Sequence, residues 1–206
     1  MAVPTLATNG RRRMPRLERR EQILAAATRA FARAGFAATR LEDVASEAGV
    51  SAVILYRHFE SKADLYRAVL RRAEHRLAAA TGSPEFTAGS LAAFLAAAAE
   101  EPDAFRLLFR QADREPEFRP EASRLRSGAV MVTRSSLGDL IPDPAWADWA
   151  ASLLPTVAIE GAIAWLDAGQ PDPEGAATRI GAAVQGVIEA ARLRTDPLPA
   201  PLGDCP

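Results

Sequence analysis

Apolar positions recur along the chain with the 3.6-residue spacing of helices. No stretch alternates with the two-residue period of a strand, so the pattern predicts an all-α fold. Leu17 to Ala34 reads as a first helix with Leu24, Ala27, Phe31 and Ala34 on one stripe, ended by Gly35. In a second helix, Leu41, Val44, Ala45 and Ala48 fall at i, i+3, i+4 and i+7, and Thr39 with Glu42 has the spacing of a capping box. Gly49 then offers the left-handed residue that stops a helix, Val50 staples the turn, and Ser51 caps a third helix from Ala52 to His58. Ser61 and Asp64 repeat the capping-box spacing before a fourth helix carrying Leu65, Val69 and Leu77, which Thr81-Gly82-Ser83-Pro84 breaks.

Beyond that break the period continues. Phe86 to Ala99 places Leu91, Phe94, Leu95 and Ala98 on a stripe, and Pro102 suits the first turn of a helix lined by Phe105, Leu108, Phe109 and Ala112. Pro116 and Pro120 punctuate, and Leu125, Ala129 and Val132, flanked by Met131, mark a helix to about Leu137. Asp143-Pro144 and Asp172-Pro173 each set an N-cap acid before a proline at the first helical position. They open long helices over about 144–168 and 173–194. Gly169 ends the first, and Pro155 inside it predicts a kink. Ile180, Val184, Val187, Ile188 and Ala191 form the stripe of the second, while Gly161, Ala164, Gly181 and Ala182 are small enough for close helix approach. No apolar run reads as a membrane span.

Composition adds an electrostatic division. The 206 residues carry a net charge of −1. Residues 1–76 hold 15 Arg/Lys against 8 Asp/Glu, net +7, and residues 77–206 hold 10 against 18, net −8. A basic first third on an acidic remainder is the footprint of a polyanion-binding head on a body that does not share that task. Only two histidines, His58 and His75, and one cysteine, Cys205, are present, with no H-E-x-x-H, P-loop or Gly-x-Ser-x-Gly. That argues against an enzyme and against a metal site or cofactor. A lone cysteine and an N-terminus without an apolar signal core fit a reducing cytoplasm.

The third helix carries the candidate chemistry. Ala52, Val53, Tyr56 and Arg57 share one arc of the helical wheel, while Leu55 and Phe59 point back toward the second helix. No acid interrupts residues 51–59. Small and apolar side chains permit close approach to a major groove, and Arg can reach guanine. Ala48, Gly49, Val50, Ser51, Leu55, Tyr56, His58, Phe59, Ser61 and Lys62, with Ile23-Leu24-Ala25-Ala26, Phe31 and Gly35-Phe36 upstream, resemble the signature of the TetR family of transcriptional regulators.

The resemblance implies an N-terminal three-helix helix-turn-helix DNA-binding head over 16–76, preceded by a flexible basic arm over 1–15. It also implies a C-terminal helical ligand-binding and dimerisation domain over 77–194, while the four prolines of 195–206 predict a disordered tail. Thr39 and Arg40 would then face phosphate at the start of the second helix, and Tyr56, His58 and Lys62 would donate to phosphates. Behind the Ser51 cap, Ala52 and Val53 would approach the bases, with Arg57 and Arg40 reading them. The partners implied are double-stranded DNA with a palindromic operator, a second copy of the chain through the last two helices, and a small, mainly apolar effector. Phe94, Phe105, Phe109, Met131, Trp149 and Trp165 are the candidate pocket walls, with Arg134 and Glu160 as polar handles. The leading reading is a homodimeric repressor released by that effector. A non-responsive architectural DNA-binding protein would need the same head but no pocket.

Overall fold

The computed structural model describes residues 15–82 and 88–193, and every regular element among them is helical. The expected arm, the Ser83-Pro84 break with Phe86, and the tail with Cys205 lie outside the described residues, apart from Pro15. Contacts divide the chain into two units between Arg72 and Ala73, a few residues before the charge boundary.

The first unit holds α1 (Arg16–Ala38), α2 (Leu41–Glu47), α3 (Ala52–Tyr56) and the start of α4 (Lys62–Thr81). Along α1, Ile23, Leu24, Ala26, Ala27, Ala30 and Phe31 are buried, whereas Ala34 is exposed. Gly35 breaks the helical dihedrals at φ 76° and ψ 170°, and three residues resume the helix beyond it. Phe31, Phe36 and Tyr66 pack ring against ring at 4.9–6.2 Å, joining α1 to α4. The stop after α2 is a Schellman turn: Gly49 sits at φ 63°, its N–H donates to Ser46 O, and the Val50 N–H donates to Ala45 O.

In the second unit, α5 (Ala88–Glu100) and α6 (Pro102–Arg106) come first. The chain then widens into a π-type turn over Leu107–Gln111 and tightens again over Ala112–Arg114, where the sequence pattern suggests one plain helix. After α7 (Arg119–Leu137) come the two long helices, α8 (Pro144–Asp167) and α9 (Pro173–Arg192). Both expected caps form: Asp143 accepts from the Ala145 and Trp146 N–H groups, and Asp172 accepts from Gly175 N–H. Helix α8 runs through Pro155 without a break and packs against both α7 and α9. It supplies much of the core, including Ala150, Leu154, Ala158, Ala162 and Ile163.

Three expectations need correction here. A Cβ on Gly161 would lie 3.1 Å from Ile180 Cγ2, so α8 and α9 do approach closely there. Ala164 and Ala182, however, face outward. On α7 the buried residues are Ala122, Thr133 and Leu137, while Met131 is 71% exposed, so the stripe is rotated from the one read in the sequence. Finally, α8 is long and apolar enough by length and composition to cross a membrane, with a mean hydropathy of 1.4. Its apolar residues serve instead as the centre of a helical core.

Candidate nucleic-acid interface

Helix α3 is a single turn and a half, too short to hold itself in water. It is fixed from behind by Leu55 and Phe59, which are 0% and 1% exposed. At its start Ser51 Oγ accepts the Ile54 N–H at 3.4 Å. The helix closes two residues earlier than the pattern suggests, and Arg57 and His58 continue as a turn hydrogen-bonded to Val53, Ile54 and Leu55 carbonyls. The opposite side is open: Val53 is 63% exposed and Tyr56 51%, Arg57 is exposed and Ala52 half-buried. Arg40 is exposed at the N-cap position of α2.

Positive charge gathers on this side. Arg20 lies over the Phe59 ring at 5.1 Å. His58 is half-buried, and burial, followed by Arg16, Arg20 and Arg19, pushes its pKa below the ordinary imidazole value. The neutral ring has one N–H to donate. These arginines fall in the first turns of α1, which begins at Arg16. Of the three acids of α2, the last is paired: Glu47 accepts from Arg29 at 2.8 Å and Arg33 at 2.7 Å. The Arg33 hydrogen bond is the main reason its carboxyl titrates below the usual range.

Two expected phosphate donors are engaged elsewhere. Thr39 is 3% exposed, and its hydroxyl donates back to Gly35 O at 2.7 Å and Ala30 O at 3.3 Å. It ties off α1 rather than capping α2, and Arg40 holds the N-cap position with no side-chain cap. Lys62 Nζ donates to Phe36 O at 2.8 Å, Ala37 O at 3.0 Å and Thr39 O at 3.2 Å. The second capping box holds on one side: Ser61 Oγ accepts the Asp64 N–H, while Asp64 accepts from Glu60 N–H.

The eight expected pocket residues do not share one site. Phe94, Phe105 and Phe109 form a ring cluster with centroids 4.7–6.3 Å apart, in which Phe105 is core and Phe94 packs against it. Trp165 donates its indole N–H to Pro171 O and so holds the α8–α9 turn. Trp149 is 40% exposed, edge-on to Trp146. Met131 and Arg134 border an open groove along α7, with Arg134 bonded to Asp148 at 2.6 Å. Only Phe109 and Glu160 border a cavity of about 350 Å3, whose other walls include Leu108, Leu125, Pro155 and Ile159. Glu160 sits at its rim, bonded to Arg110, and Arg126 on the same rim pairs with Asp113. Helical period identifies a stripe but not the neighbour it meets, which is why the aromatic candidates scattered. No group of acids, histidines and cysteines among the described residues could hold a metal ion.

Residues 23–69, which span most of α1 through the first part of α4, match the family model for bacterial regulatory proteins of the tetR family. A transcriptional activator from Mycolicibacterium smegmatis, FasR, is 50% identical over 60 residues, which is 29% of this chain and 27% of that protein. The chain therefore aligns with little more than a quarter of that relative's length. A TetR-like regulator from Rhodococcus sp. RHA1 has the same fold, with a TM-score of 0.73 at 24% identity over 84% of this chain and 97% of the other. The fold is also that of Bacillus subtilis FadR, solved with stearoyl-CoA, with a TM-score of 0.62 at 17% identity over 84% of this chain and 99% of that one. These similar proteins are regulators, not enzymes. The helix-turn-helix thus lies inside the segment that matches the TetR family of bacterial regulatory proteins, and the chain shares its fold with TetR-like regulators over most of its length.

Proposed function

We propose that the protein is a sequence-specific DNA-binding transcription regulator that works in the cytoplasm as a homodimer on a palindromic operator. The observation that carries this is the two-sidedness of α3: Leu55 and Phe59 are fully buried behind it, while Val53, Tyr56 and Arg57 stand exposed with no acid among them. In this reading α3 enters the major groove, Arg57 reads a base edge, and Arg40 with Tyr56 contacts the flanking backbone. The same charges steer association with DNA.

The outward residues of α8 and α9 favour self-association through these helices. Trp149 on α8 is exposed, and Ala182, Gly186 and Ala190 present a low-relief stripe on α9. A two-fold axis would set the paired α3 helices one DNA turn apart, about 34–36 Å.

The apolar cavity beneath Pro155 supports an effector-responsive protein over an architectural one. Its volume is at the low end of ligand pockets, about 300–1,000 Å3. Each rim charge, Glu160 and Arg126, already has a protein counter-ion, so an uncharged, mainly apolar effector suits it best. Repression relieved by that effector is the proposed mode. One relative is named an activator, so the sign of the response is part of the test. Footprinting of the purified protein across genomic fragments should reveal a palindromic site. Binding without sequence preference would sink the regulator reading.

A further inference from the structure

We propose that Lys62 is a positioning residue: its ammonium binds the last carbonyls of α1 and thereby sets where α2 begins, and it does not touch nucleic acid. The proposal rests on the DNA-binding reading of the head.

The last carbonyls of a helix have no partners within it and form the negative end of its dipole. At the end of α1, two residues satisfy the carbonyls of Gly35, Phe36 and Ala37. The Thr39 hydroxyl and backbone N–H both reach Gly35 O. Lys62 Nζ takes Phe36 O, Ala37 O and Thr39 O at 2.8, 3.0 and 3.2 Å. A lysine ammonium has three protons, so three carbonyls use all of them. The Phe36 ring covers another side of the same nitrogen at 4.6 Å. No proton is left for a phosphate.

The grip falls on the residue before Arg40. Thr39 is buried and anchored at both its hydroxyl and its carbonyl, and the exposed Arg40 follows directly at the N-cap of α2. Lys62 itself opens α4. One side chain therefore joins the end of α1, the entry to α2 and the start of α4.

The test uses the full chain with Lys62→Met and Lys62→Arg. Affinity for the footprinted operator is measured across a salt series, at a temperature where circular dichroism shows each variant fully folded. Hydrogen exchange is followed in residues 36–41. Lys62→Met should weaken binding about tenfold, the fold-change of about 1.4 kcal/mol that one charge-assisted hydrogen bond can supply. The slope of log affinity against log salt should stay at the wild-type value. Lys62→Arg keeps the charge but presents a planar fork that cannot converge on three carbonyls, so it should fall with Lys62→Met. Exchange at 36–41 should quicken in both.

A slope shallower by about 0.9, with Lys62→Arg near wild type, would reassign Lys62 to a phosphate and overturn the proposal. Wild-type affinity in the folded variants would leave it a purely structural residue and overturn it equally. If the wild-type protein binds no DNA selectively, the regulator reading fails by itself. Unchanged exchange at 36–41 then still refutes the positioning role. Should Lys62→Met not fold, Lys62→Arg alone carries the comparison.

Discussion

Leu55→Ala and Val53→Ala shorten neighbouring side chains on the same five-residue helix, and the structure assigns them opposite consequences. Leu55 is 0% exposed, so truncation removes about three buried methyl-sized groups at ~0.8 kcal/mol each, roughly 2.4 kcal/mol of transfer free energy. The void left between α3 and its support raises the total to about 3–4 kcal/mol, inside the usual span for buried Leu→Ala changes. Val53 is 63% exposed, and its truncation should cost less than about 0.5 kcal/mol. Native-state hydrogen exchange in the first unit reads these values as opening free energies without requiring the whole chain to unfold in one step. Operator binding by the folded proteins should reverse the order. Val53→Ala should change base preference, while the residual folded fraction of Leu55→Ala should keep it. Opening free energies within about 1 kcal/mol of each other would refute the claim that α3 is held by one face and offers the other.

Arg57→Ala should cost about 1–3 kcal/mol of operator affinity and relax preference at one base position in a binding-site selection, as for an arginine on a guanine edge; an equal loss on all sequences would assign it to the backbone. Glu47, whose folded pKa lies below its ordinary 4.5, should contribute stability at neutral pH that disappears as pH falls through the folded value. Melting temperatures taken from about pH 6 to pH 3 should therefore fall less in Glu47→Gln than in wild type. For the cavity, the neutral probe N-phenyl-1-naphthylamine should fluoresce on binding, and its sulfonated analogue should bind far less well. Ile159→Trp should fill the space and abolish the signal while leaving operator binding intact.

The head was legible because its signals are local. Gly49, Ser51 and the Leu55–Phe59 spacing each dictate a turn, a cap or a buried face within a few residues, and the structure forms them. Asp143 and Asp172 were legible for the same reason. What sequence reasoning missed depends on partners distant in the chain for Lys62 and on a competition between local partners for Thr39. Lys62 and Thr39 have the residue types and family positions of phosphate donors, yet α1 carbonyls claim both. One signal was present: an N-cap reading of Thr39 competes with its place four residues after Gly35, where a hydroxyl can reach back to a helix carbonyl. The cavity was least legible. Its walls come from the π-type turn, α7 and the Pro155 region of α8, and apolar stripes alone do not say which helices leave space between them.

Lys62 is also the one lysine in the chain. Amine-directed acylation of this protein can modify a single side chain, and that side chain holds its reactive nitrogen against three carbonyls while the head is intact. Acylation at this position thus reports how often the ammonium leaves those carbonyls, a reporter of local opening that requires no engineered label.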